Sequence, residues 1–277
     1  MPSTDKNVAQ TVAELARQND MQLKNNKASS LVTVPEGYRL EDTEKHQENR
    51  NRFRGRFNTK SSAAFAEYVA DRNTADKCFI DNTNQDFLIC QAIFNLGDEE
   101  VAGHADDTAL LKLPITDEFK ALSNLGRTSQ RNIVDFIQDY AHCLTFSDSD
   151  EDSDELSDMS FSHALKAFRS VTVKSAGEMT SNVGDLSSTK SAMERIEADS
   201  SIRLPRFIHM ETSLYEDLPK VKVTARVAVI ADSDNLGFSL RIIGQTKQLN
   251  DAADRFVEMV KALLPSDLPI YVGTFTA

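Results

Sequence analysis

The sequence predicts an α+β fold: a mainly antiparallel sheet with helices packed on it. Three observations lead there. First, Val221, Val223, Ala225, Val227 and Val229 alternate with Lys222, Thr224 and Arg226, the two-residue period of a half-buried strand. A polar turn at Asp232–Asn235 then precedes Phe238–Ile243, which reads as the antiparallel return. Second, Phe87–Phe94 is nearly continuous in apolar residues, as a central, buried strand is. Third, helical spacing occurs between these strands with clear punctuation. Thr116 precedes Asp117 and Glu118 and Gly126 follows Leu125, while Ser129 precedes Ile133, Phe136, Ile137 and Tyr140.

The remaining elements follow in chain order. Thr4 caps a predicted helix from Asp5 to Asn19 whose stripe, Val8, Val12 and Leu15, is narrow enough to need a partner surface. Met21–Val34 is polar and reads as a linker, and Pro35-Glu36-Gly37 as a turn. Arg50, Arg52, Arg54 and Arg56 then occupy alternate positions, which in a strand would share one face. A helix is predicted over Thr59–Asn73 with Phe65, Tyr68 and Val69 inward, then strands at Cys78–Asp81, Phe87–Leu96 and Thr108–Leu113. Phe161, Leu165 and Phe168 mark another helix, and Val171–Val173 a short strand. Lys174–Ser200 has weak periodicity and reads as a long loop or an irregular strand pair. Ile202–Met210 has strand character, with Pro205 placing it at an edge or a bulge. Leu249, Ala253, Phe256, Val260 and Leu263 form the inner stripe of a helix over Gln245–Leu264, and Ile270–Phe275 is a last strand.

This pattern predicts four segments: an N-terminal helix and linker over 1–30, an α+β part over 31–146, an acidic linker over 147–163 and a second α+β part over 164–277. The linker is placed by the run Ser147–Glu155, which has the look of a calcium loop. Counting from Asp148, however, Ser153 stands where the sharp turn needs Gly and Met159 where a bidentate Glu is needed. A solvated linker extended by its own charge is the stronger prediction.

The 277 residues, 40% hydrophobic and 27% charged, provide ample core for one large domain or two small ones. No apolar run approaches the ~20 residues of a membrane span. The first residues lack the charged and apolar regions of a secretory signal, and three widely spaced cysteines suit a reducing compartment, so a cytoplasmic protein is expected. A net charge of -12 argues against a general nucleic-acid coat, because duplex binding rests on phosphate neutralisation. No phosphate loop, H-E-x-x-H or C-x-x-C is present, and the five histidines lack metal-ligand spacing. His142 and Cys143 are adjacent at a helix end and fall on different faces. His104 with Asp106 and Asp107 reads as a polar turn before a strand. No enzyme, cofactor or metal site is therefore predicted.

Pro35-Glu36-Gly37-Tyr38-Arg39-Leu40-Glu41-Asp42, followed by the arginine segment and Phe65-Ala66-Glu67-Tyr68-Val69, resembles the YfdQ-like family of phage and prophage proteins. Phe87–Phe94 and Thr116–Leu122 fit its central part, and the C-terminal hairpin and helix fit its end. The resemblance runs from Leu31 to Phe275 and is looser between Ser147 and Ser200. It implies a phage-encoded protein in the cytoplasm of a bacterial host, and supplies no site residues.

The functional expectation is a non-enzymatic phage or prophage accessory protein that self-assembles, as a homo-oligomer, or binds a host or phage protein. The alternative is a nucleic-acid-associated factor in recombination or replication. The candidate contact residues are Arg50, Arg52, Arg54 and Arg56. They would discourage strand addition, meet acids of a neighbouring subunit, or hold phosphates while Phe53 or Phe57 stacks on a base.

Overall fold

A computed structural model describes residues 44, 47–72, 75–148, 158–171, 203–232 and 235–276. The predicted helix over Asp5–Asn19, the segment Lys174–Ser200 and the acidic run beyond Asp148 lie outside the described residues. The chain divides into two units, residues 1–53 and 54–277. In the first, the Asn51 N–H donates to Glu44 Oε1 at 3.0 Å.

The second unit is α+β, as the sequence predicts. Its first sheet has five strands, β1 (Gly55–Thr59), β2 (Lys77–Asp81), β3 (Phe87–Ile93), β4 (Asp107–Pro114) and β11 (Ile270–Val272), in the order β1-β4-β3-β2-β11. The inner pairs are antiparallel, while β1 and β11 join as parallel edges. The second sheet is antiparallel throughout. It orders β5 (Arg127–Ser129), β10 (Asn235–Ile242), β9 (Val221–Asp232), β8 (Phe207–Thr212), β6 (Leu144–Ser147) and β7 (Asp158–Met159). Strands from both sides of the acidic run thus interleave in this sheet, and the C-terminal β11 completes the first.

Five helices occur among the described residues: α1 (Ser62–Arg72), α2 (Asp117–Leu125), α3 (Gln130–Asp139), α4 (Phe161–Ser170) and α5 (Gln245–Leu263). The predicted caps are in place. The Phe119 N–H donates to Thr116 Oγ1 and the Asn132 N–H to Ser129 Oγ, each satisfying a donor of the first helical turn. Ser160, not anticipated, caps α4 in the same way. Gly244 starts α5 in the left-handed region (φ 63), which a residue without Cβ adopts at least cost. None of these helices is long and apolar enough to cross a membrane.

One core joins both sheets. Leu88, Cys90, Ala109, Leu111 and Leu113 face α1 and α5, and Ile208, Ala225, Val227, Phe238 and Leu240 face the helices of the second sheet. Phe168 of α4 meets Phe238 of β10 edge-on at 5.2 Å between ring centroids. The loop after β8 clamps the sheets together. Thr116 N–H donates to Leu214 O, Glu216 N–H to Pro114 O, and the buried Tyr215 hydroxyl to Gln85 O at 3.0 Å. Burial and then the nearby Asp86 raise the Tyr215 phenol above its usual pKa.

Three sequence expectations need correction. β3 is central, but it alternates between buried and part-covered residues instead of being buried on both faces, because the described helices pack on the face bearing Leu88 and Cys90. Pro205 lies before β8, which begins at Phe207, so it neither bulges nor edges the strand. Val171 follows α4 without entering a strand.

Candidate binding surface

The helices of the second sheet pack on the face bearing Val223, Ala225, Val227 and Phe238. Strand alternation sends the intervening residues outward. Register then decides which of them meet. Arg241 on β10 stands directly opposite Arg226 on β9, and Arg226 directly opposite Phe207 on β8. Arg127 on β5 stands opposite Ser239, one diagonal step from Arg241. Opposed residues are ~5 Å apart and diagonal neighbours ~7–8 Å, so the three arginines form one line across β5, β10 and β9. All three are exposed. None has an ion-pair partner among the described residues. The Arg226 guanidinium lies 5.7 Å from the centre of the buried Phe207 ring. Ala228 opposite Ser239, and Ile230 opposite Gly237, line the adjoining rows.

Arg241, the middle member of the line, borders a cavity of about 430 Å³ with Thr246 and Lys247 of α5 and Ser123 of α2. The Ser123 hydroxyl oxygen is buried there without a hydrogen-bond partner.

Beyond Arg226 the outward face carries a buried polar chain. Ser147 Oγ lies 2.8 Å from His209 Nε2, and His209 Nδ1 lies 3.0 Å from Thr224 Oγ1. A neutral imidazole carries one N–H, so it donates to one hydroxyl and accepts from the other. The order of groups imitates a nucleophile and its base, but Ser147, His209 and Thr224 are only 1%, 4% and 5% exposed. The third member is a hydroxyl, which cannot balance an imidazolium as a carboxylate does. The chain instead ties β6, β8 and β9 together through satisfied buried polar groups. Ser147 and Asp148, predicted to open a solvated linker, are thereby corrected: Ser147 closes β6, and the buried Asp148 pairs with Arg203 at 2.5 Å.

These features belong to a chain that matches the DUF2303 family, described as an uncharacterized conserved protein, over residues 3–275. The chain is a member of DUF2303. No curated protein and no solved structure matches it.

In this DUF2303 chain the arginines singled out from the sequence do not form one strand. Arg50 and Arg52 belong to the first unit, outside any strand, with Arg50 exposed and Phe53 60% exposed. Arg54 lies just before β1, and only Arg56 is within it, exposed on the outward face. The physical reason is the register. Gly55 pairs with Asp107, the first residue of β4, and Ala105 just beyond has φ 52, which bends the neighbouring chain out of line. Phe57 points inward and stacks on Tyr68 at 4.4 Å, so it offers no open ring face there.

Other candidates also have structural partners. Asp107 is buried and paired with Arg72, and Asp106 accepts a hydrogen bond from Asn95 at 2.8 Å. His142 is exposed in the turn after α3. Among the described residues no group of three or more His, Cys, Asp or Glu is placed to hold a metal. Cys78 and Cys90, across β2 and β3, bring their sulfurs to 3.0 Å in the core as free thiols. Burial first, and the Cys78 thiol second, raise the Cys90 pKa well above the usual thiol value.

The arginine line was half legible. The alternation around Arg226 marks a polar face, but Arg127 and Arg241 join it only through pairing register.

Proposed function

We propose that this chain is a non-enzymatic accessory protein of a phage or prophage, acting in the host cytoplasm by binding an anionic partner with the outward face of its second sheet. Phage origin rests on the YfdQ-like resemblance alone. The observation that carries the binding role is the direct opposition of Arg226 and Arg241. Like charges opposed across strands cost a few tenths to ~1 kcal/mol. A fold that keeps both exposed, in a chain of net charge -12, has them available for an external anion. The Ser147–His209–Thr224 chain supports a binding role over turnover, since its hydroxyls and imidazole are buried and hydrogen-bonded to one another.

Heparin chromatography tests this. The wild-type protein should be retained at low salt despite its net charge, and Arg241→Glu should elute earlier. Flow-through of the wild type would sink the proposal.

Self-assembly is favoured by a different observation. On the first sheet Phe79 stacks on Tyr271 and Phe275, with centroids 5.7 and 4.5 Å away, while Tyr271 and Val272 on edge strand β11 are about half exposed. An exposed apolar edge is a site for pairing with a second chain. Light scattering on the eluted peak should give a multimer that Tyr271→Lys dissociates. A strict monomer removes this second reading.

A further inference from the structure

We infer that the line Arg127–Arg241–Arg226 is a phosphate-backbone track for single-stranded nucleic acid, read without base specificity. The inference rests on the proposed anion-binding role of this face and names its ligand.

Charge complementarity sets the class, and the surroundings of the arginines narrow it. A protein partner is held by desolvated aromatic or aliphatic anchors seated in pockets. The arginine line has no exposed aromatic anchor: Phe207 is 3% exposed beneath Arg226, and the neighbouring outward positions are Ala228, Ser239, Gly237 and the part-covered Ile230. A floor of mostly small side chains lets an extended backbone lie close to the sheet, with guanidiniums beside its phosphates. Burial of Phe207 also withdraws the ring that would stack on a base, so affinity comes from phosphates and is indifferent to sequence. The unequal steps of ~5 and ~7–8 Å between arginines are set by the strands, and a flexible single strand adapts its phosphates to them where a regular duplex backbone does not. Lys247 borders the same cavity as Arg241 and adds positive charge beside the middle of the track.

Three phosphate contacts on a single strand predict a slope of log affinity against log salt of about -2, hence roughly a 20-fold loss between about 50 and 200 mM salt. The test is fluorescence anisotropy of labelled oligothymidylate and mixed-sequence strands of about 16 nucleotides. Both should bind equally, with that slope. Arg127→Glu combined with Arg241→Glu should weaken binding at least tenfold, with the circular dichroism spectrum unchanged. If that variant fails to fold, Arg241→Ser serves instead and should reduce the slope by about 0.7. Polyglutamate at equal charge should compete poorly.

Absent oligonucleotide binding, an unchanged slope in the variants, or polyglutamate competing as well as the oligonucleotide would overturn the inference. Heparin retention with no oligonucleotide binding defeats the inference alone. Loss of both defeats the anion-binding role with it.

Discussion

The two sheets of the second unit bury similar apolar faces and differ in what they turn outward. The first exposes or half-covers Ile89, Leu110, Phe79 and Tyr271, with Lys112 set 3.9 Å from the centre of the Phe87 ring. The second turns out Arg127, Arg226 and Arg241 over mostly small residues, beside a polar chain at Ser147, His209 and Thr224. The first sheet therefore retains exposed apolar surface at its β11 edge. The second retains a row of arginines with no ion-pair partner among the described residues. Burial of apolar surface is favourable in itself, whereas arginines directly opposed across strands repel each other.

This contrast is open to challenge at several strengths. The largest difference concerns thiols. Cys78 and Cys90 sit fully buried in the first sheet, while Cys143, before β6, is partly exposed. Burial and then Glu118 raise the Cys143 thiol, so it alkylates slowly. The buried pair should nevertheless lag it by about a thousandfold or more, because labelling there requires opening of the core. Mass-spectrometric timing of iodoacetamide labelling reads this directly, and equal rates would contradict the packing of the first sheet.

Next come the cores. Phe238→Ala removes the ring that meets Phe168 and should cost about 3–5 kcal/mol in denaturant unfolding. In the first sheet, Arg72→Met leaves Asp107 buried without its counter-charge and should cost about 3 kcal/mol. Oδ1 of Asp107 already lacks a hydrogen-bond partner, so little else there can compensate. Ser147→Ala withdraws one hydroxyl from His209 and should cost about 1–2 kcal/mol without affecting heparin retention, which distinguishes a tie between strands from a binding group.

How far these features could be foreseen depended on their range in the chain. Thr116, Ser129 and the stripe Leu249–Phe256–Val260 act within a few residues, so pattern alone places them. The hairpin of β9 and β10 was legible because polar and apolar residues alternate over Val221–Val227 of β9 and through β10. β5, β6 and β7, of two to four residues, were missed: each exists because a longer neighbour supplies its hydrogen bonds. Leu144–Ser147 does alternate, but its last residue merges with the acidic run, whose composition suggests solvent. Ser147 and His209 are 62 positions apart, and no local signal joins them. The arginines at 50, 52, 54 and 56 misled for the opposite reason. Their local pattern is strong, but a strand also needs a neighbour, and β4 begins only opposite Gly55.

The smallest effect has the most informative sign. Arg241→Ser relieves the repulsion with Arg226 while leaving Phe207 covered, so unfolding stability should hold or rise by a few tenths of a kcal/mol. The same variant should lose affinity for polyanions. Measuring its melting temperature beside its elution salt from heparin tests the central claim most directly. Earlier elution with an unchanged or higher melting temperature is the predicted result. Elution with the wild type, or a lower melting temperature, would contradict a binding face maintained at the expense of stability.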